Sequence, residues 1–153
     1  MLSERLALDK CNTASTGRKV TMRIFCVLLL FMGMAGGCAD KIDHDTALAT
    51  KRALEFAEAT FVRGNLDQGY GMLADKARNY IPMNIFADKV KQMHPSGRPN
   101  KIAGLSAAPV KGEKLVTVTV RGEGDGQFLY TIAVLGTATD DYRVTTFSGG
   151  RSS

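Results

Sequence analysis

The stretch KLVTVTVRGEGDGQFLYTIAVL, residues 114–135, decides the fold of this 153-residue chain. Its first eight residues alternate. Val116, Val118 and Val120 fall on one side of an extended chain, and Thr117 and Thr119 on the other. β-Branched residues at a period of two fit a pleated strand. Gly122-Glu123-Gly124-Asp125-Gly126 reads as a turn. Residues 127–135 (QFLYTIAVL) then form a second strand, apolar on both faces and so expected at the centre of a sheet.

Working outward, Gly136 suggests a bulge or bend and Asp140-Asp141 a turn. Residues 142–147 are the last strand, and residues 148–153 a polar, frayed tail. On the other side, residues 101–109 are a weaker strand, preceded by the loop Pro95-Ser96-Gly97-Arg98-Pro99. Upstream of that loop the period changes to 3.6. The segment 46–63 (TALATKRALEFAEATFVR) places Ala49, Ala53, Leu54, Phe56, Ala57, Thr60 and Phe61 on one helical arc, opposite Lys51, Arg52, Glu55, Glu58 and Arg63. Asp45 or Thr46 caps it, and Gly64 ends it. Asn65 starts a second helix, expected over residues 66–77, whose Gly69 and Gly71 each cost about 1 kcal/mol relative to Ala. Residues 78–82 are a connector. A third helix spans 83–94, with Phe86, Val90 and Met93 on one side, and Pro95 terminates it.

The N-terminal part has a different character. Residues 22–37 (MRIFCVLLLFMGMAGG) have a basic start, an apolar centre and a run of small residues, the pattern of a secretory signal. The uncharged segment 24–35 has 12 residues. As a helix it reaches about 18 Å at 1.5 Å per residue, short of the roughly 30 Å hydrocarbon layer. Ala35-Gly36-Gly37-Cys38 resembles a bacterial lipobox, with Ala35 where Leu is usual. The resemblance implies cleavage between Gly37 and Cys38 and a lipid on Cys38. The alternatives are an ordinary signal cut near Gly37 or Ala39, giving a secreted or periplasmic protein, and an uncleaved anchor. Ala39 after the cysteine implies, by analogy with enterobacterial sorting, the outer membrane facing the periplasm. Residues 1–21 lack a periodic apolar face, and an over-extended start before Met22 is the simplest account of them. Residues 38–45 are then a tether.

Composition bears on partners. The whole chain carries a formal net charge of +5. Residues 1–37 hold five of the basic residues, and from Cys38 onward there remain 15 basic and 13 acidic residues. The basic balance lies largely in the signal part, and no segment of the remainder shows a basic stripe, so no nucleic-acid partner is implied. Cys11 and Cys26 precede the cut. Cys38 alone then remains, which allows neither an intrachain disulfide nor a cysteine zinc site.

Helix, shorter helix, helix and then an antiparallel meander is an α+β order. Phe61-x-x-Gly64-Asn65-Leu66-x-x-Gly69-Tyr70 looks like the turn joining the first two helices of NTF2-like proteins. Asp140-Asp141-Tyr142-Arg143-Val144 looks like their closing strand, with Tyr142 where Trp is common. Over residues 46–147 the chain resembles the small bacterial NTF2-like (cystatin-like, cone-shaped) lipoproteins. The resemblance implies N-terminal helices packed on a curved antiparallel sheet, with a pocket at the wide end of the cone. It implies no single activity, since such folds serve isomerases, dehydratases, transport factors and secretion components alike.

Candidate chemistry is sparse. The strand segments 115–120 and 128–135 contain no Asp, Glu or His, where a buried catalytic carboxylate would most naturally sit. His44 falls in the tether, and His94 is expected as a partly exposed cap at a helix end. Two histidines so placed make a poor metal site. Tyr70, Tyr80 and Tyr130 are pocket candidates whose ordinary role is core packing with the hydroxyl at the rim. No catalytic residue, metal or cofactor is assigned. The leading expectation is a non-enzymatic envelope lipoprotein that binds a small apolar ligand, in a pocket lined by Phe56, Phe61, Tyr70, Phe86, Phe128 and Tyr130, or binds a protein partner. The alternatives are a divergent isomerase or hydrolase, and an assembly or homodimer module using the outer sheet face with Thr117, Thr119 and Thr131.

Overall fold

The computed structural model describes residues 42–152. The signal segment, Gly37, Cys38 and the first half of the tether lie outside the described residues.

Helix α1 spans Thr46–Ala57. Asp45 caps it by accepting from the Leu48 amide at 2.9 Å, which satisfies one of the amides that a helix start leaves unpaired. Ala49, Ala53, Phe56 and Ala57 form its buried stripe. The next turn, Glu58–Val62, widens into a π-helix. It carries Ala59, Thr60 and Phe61 inward before Gly64 turns the chain at φ 67°. A left-handed residue after a helix favours glycine because a Cβ would crowd the backbone there.

Helix α2 covers Leu66–Gly71 and is capped by Asn65, which accepts from the Gln68 amide at 3.1 Å. The single helix expected over 66–77 is instead two. After Gly71 the backbone leaves the helix and pairs with the last strand: the Ala74 amide donates to the Val144 carbonyl at 2.8 Å, and the Val144 amide donates to the Met72 carbonyl at 3.1 Å. Helix α3 then covers Asp75–Tyr80, and its residues 78–80 fall in the segment expected as a connector. Two weak glycine positions made the helical alternative easy to give up, and the sheet edge offered replacement hydrogen bonds. Helix α4 spans Met83–Met93 with Pro82 at its N-cap and buries Phe86, Val90 and Met93, as its periodicity requires.

Four strands follow: β1 Lys101–Pro109, β2 Leu115–Glu123, β3 Gln127–Leu135 and β4 Arg143–Ser152. They pair antiparallel in the order β1-β2-β3-β4, so the chain is α+β, with helices followed by a four-stranded meander. Bulges fall between Gly104 and Ser106 in the β1–β2 pair and between Ala133 and Val134 in the β3–β4 pair.

The central place expected for β3 holds, and the frayed tail expected from residue 148 needs correction. β3 is central but not buried on both faces. Phe128, Tyr130, Ile132 and Val134 point into the core, while Leu129 and Leu135 are 46% and 41% exposed. Among the described residues the helices cover only one side of the sheet, so its apolar outer positions are exposed. The tail expected from residue 148 is a strand to Ser152, with Gly149 opposite Tyr130 and Gly150 opposite Leu129. Gly149 has φ 119°, and a Cβ there would run into the Leu129 carbonyl. A Cβ on Gly150 would lie 2.9 Å from the Met93 carbonyl. These glycines allow backbones to approach closely; they do not mark a frayed end.

Candidate functional site

The six aromatic residues expected around a ligand pocket do come together, as a packed interior. Phe56 and Phe61 meet edge to face at 5.7 Å, and Phe61 stacks on Tyr130 at 4.4 Å. Phe86 lies 5.6 Å from Tyr70, and Phe128 stacks alongside Tyr130 at 6.2 Å. The Tyr70 hydroxyl donates to the Ile81 carbonyl at 3.0 Å and so ties α2 to the segment before α4. These rings fill the space between helices and sheet with one another.

Tyr130 does not keep its hydroxyl at a rim. The residue is 0% exposed, and His94, expected as a partly exposed cap, is only 8% exposed. Pro95 stops α4 at Met93, and the ring of His94 then folds back over the core. Its Nδ1 lies 2.8 Å from the Val90 carbonyl and its Nε2 lies 2.7 Å from the Tyr130 hydroxyl. A carbonyl only accepts, so Nδ1 carries the proton. Nε2 is then an acceptor, and Tyr130 donates to it. Burial lowers the His94 pKa, and the nearby Arg98 charge lowers it further, against a raising contribution from the Val90 carbonyl. Burial raises that of Tyr130. No spacing rule links positions 94 and 130, so this pair was not visible in the sequence.

Open surface features lie elsewhere. A groove of about 780 Å³ runs between α1 and β1, lined by Thr46, Ala47, Thr50, Lys51, Leu54 and Glu55 on the helix and Ala107 on the strand. Among the described residues β1 is an edge strand, paired only with β2. Most of it is exposed, and Leu105 at the bulge is 47% exposed. The Val110 amide donates to the Leu115 carbonyl at 2.8 Å, and hydrogen-bonded pairs alternate along an antiparallel ladder. Ala107, three residues before Val110 and opposite Val118, therefore turns its own N–H and C=O toward the free edge. Helix α1 crosses β1 at Gly104, where a Cβ would sit 3.1 Å from the Thr50 methyl. The groove thus has an apolar floor, a helix as one wall and unpaired strand backbone along its side. Sequence reasoning missed it, although KIAGLSAAP carries a signal: small residues without alternation mark a strand with no fully buried face.

A second cleft, of about 480 Å³, gathers Asp75, Arg78, Lys114, Asp140, Asp141 and Arg143. Its charges are largely satisfied internally. Arg78 pairs with Asp75, Lys114 with Asp140 at 3.5 Å, and Asp141 with Arg52 at 2.8 Å. Among the described residues no group of three His, Cys, Asp or Glu side chains is placed to hold a metal ion, and no helix is long and apolar enough to cross a membrane. Comparison of the chain with protein-family models, with curated proteins and with solved structures found no match.

Proposed function

We propose that the chain is a lipid-anchored cell-envelope protein whose single α+β domain, an NTF2-like cone, is a binding module for an extended polypeptide segment. The observation that carries this reading is the groove between α1 and the free edge of β1. An added strand would complete the backbone hydrogen bonds at Ala107 and lay alternate side chains against Ala47, Thr50 and Leu54, the mode in which main chain gives affinity and pockets give selectivity. Edge strands of natural sheets are usually guarded. Here the guards are a bulge at Leu105 and Pro109 at the end, which leave the stretch beside the groove open. The lipobox at residues 35–38 supports the anchor, and the order of helices and meander supports the cone.

The test is a photo-crosslinking amino acid placed at Lys51 on the groove wall and, as control, at Asp67 on α2, in the protein expressed in its own envelope. Adducts from position 51 that disappear on Ala107→Pro are expected, with nothing specific from position 67. Proline removes only an amide that faces the free edge, so the domain itself should still fold. Adducts unaffected by Ala107→Pro would refute strand addition.

A second reading rests on the outer sheet face, where Leu129 and Leu135 are exposed in the same array as Thr117, Thr119 and Thr131. There the partner is a second copy of the chain. Light scattering on the purified protein separates the two: a dimer abolished by Leu129→Glu favours this second reading, and a monomer at high concentration removes it.

A further inference from the structure

We propose that His94 and Tyr130 form an acid-opened latch that holds the end of α4 and the 95–99 loop against β3. The inference is independent of what the domain binds.

The latch is defined by its donors and acceptors. In the neutral state each polar atom of the pair is used once: Nδ1–H to Val90, and the Tyr130 hydroxyl to Nε2. Tyr130 has no other hydrogen-bond partner among the described residues. Adding a proton to Nε2 makes it a donor. The Tyr130 oxygen then has to accept, and its own proton is left without a partner in an apolar interior. The new positive charge is itself buried. Phe61 from the π-helical turn lies 5.3 Å away and Phe128 from β3 lies 5.9 Å away, and neither offers a counter-charge. The titratable and charged groups that act on His94 are Tyr130 from β3 and Arg98 from the loop, and Arg98 is itself a cation. Protonation therefore costs the closed state twice, once in an unpaired hydroxyl and once in a buried, opposed charge.

What moves is set by the attachments. His94 is the last residue before the Pro95–Pro99 loop, of which residues 95–98 are exposed and Pro99 is buried, so withdrawing its ring toward water frees the α4 end of that loop. Arg98 in the loop lies against Gly64, where a Cβ would collide with its guanidinium. Pro99 packs on Gly122 in the β2–β3 hairpin, where a Cβ would stand 2.9 Å from the proline ring. Opening would uncover one end of the aromatic interior, around Phe61, Phe128 and Tyr130, while β2 and the rest of β3 stay paired.

Hydrogen exchange of the full chain at pH 7.5, 6.5 and 5.5, corrected for intrinsic rates, reads the opening directly. The expected result is that amides of residues 91–94 and 96–98 open more readily below pH 6.5, by up to about tenfold per pH unit, while residues 116–120 and their partners 130–134 in β3 do not change. His94→Gln, which can donate and accept but not titrate, should make the opening independent of pH. Equal protection at all three pH values, loosening spread evenly over the sheet, or an unchanged acid response in His94→Gln would overturn the latch. If that variant does not fold, the wild-type imidazole titration followed by NMR decides. A His94 midpoint below the ordinary 6.5, shared by the Tyr130 ring signals, is expected. A midpoint at or above it, or a Tyr130 ring that ignores it, would overturn the proposal.

Discussion

Tyr130 in the middle of β3 donates its hydroxyl proton to Nε2 of His94, 36 residues earlier, across 2.7 Å in the interior. That bond joins the end of the last helix to the centre of the sheet. Removing the donor with Tyr130→Phe leaves a buried imidazole nitrogen unpaired. The expected cost is about 1–3 kcal/mol, read as a lower urea midpoint with an unchanged m-value.

Overall stability should depend on pH from both sides. His94 titrates below 6.5 when folded because burial and Arg98 oppose its charge, so below 6.5 the unfolded chain binds more protons. Its contribution is complete above about pH 6.5 and is lost as the pH falls through that value toward the folded pKa. Tyr130 has a raised pKa through burial. Above about pH 10 the unfolded chain releases that proton first, so stability falls again. Thermal melts from pH 5 to 11 should show a plateau between these limits, and His94→Gln should flatten the acid side alone.

Two glycines on α2 and β4 should respond in opposite directions to alanine. Gly71→Ala meets no atom within 4 Å and ends a helix, so it should raise stability by up to about 1 kcal/mol. Gly149→Ala forces a Cβ into the Leu129 carbonyl at φ 119° and should cost about 3 kcal/mol or more. A neutral Gly149→Ala would mean that residues 148–152 are not the strand described.

Thr60 is fully buried, and its hydroxyl has no hydrogen-bond partner among the described residues. It faces Gly69 on α2 so closely that a Cβ there would collide with it. Thr60→Val keeps the shape and removes the unpaired group, so it should be neutral or stabilising. Gly69→Ala should destabilise by about 1–3 kcal/mol despite alanine's helix propensity. Both are measured by chemical denaturation.

If Cys38 carries lipid, Cys38→Ala should abolish labelling by a palmitate analogue and move the protein from the membrane to the soluble fraction. Equal labelling of both proteins would end the anchoring proposal.

The α+β order, the start and capping of α1, the limits of α4 and the two inner strands were legible locally, because the hydrophobic period and the capping residues are properties of neighbouring positions. Asp45, Gly64 and Asn65 act within a few residues of themselves, and the Val116–Val118–Val120 stripe needs no knowledge of its partner. The break after Gly71 was not legible, because it depends on Val144, more than 70 residues away, accepting the Ala74 amide. Nor was the ordered strand at residues 148–152, since Ser-Gly-Gly reads as flexible until the Met93 carbonyl is seen to leave room for glycine alone. The quoted stretch 114–135 by itself determined that the chain builds a β-meander and which side chains share a face. It could not determine whether the second face is covered, and only the placement of the described helices on one side leaves Leu129 and Leu135 exposed. The candidate sites follow the same division. The groove at Ala107 exists because α1 packs beside an edge strand, and the His94–Tyr130 pair because Pro95 turns one ring back into the core. Both are long-range juxtapositions, set by burial and hydrogen-bond satisfaction across the whole domain and carried by no local pattern.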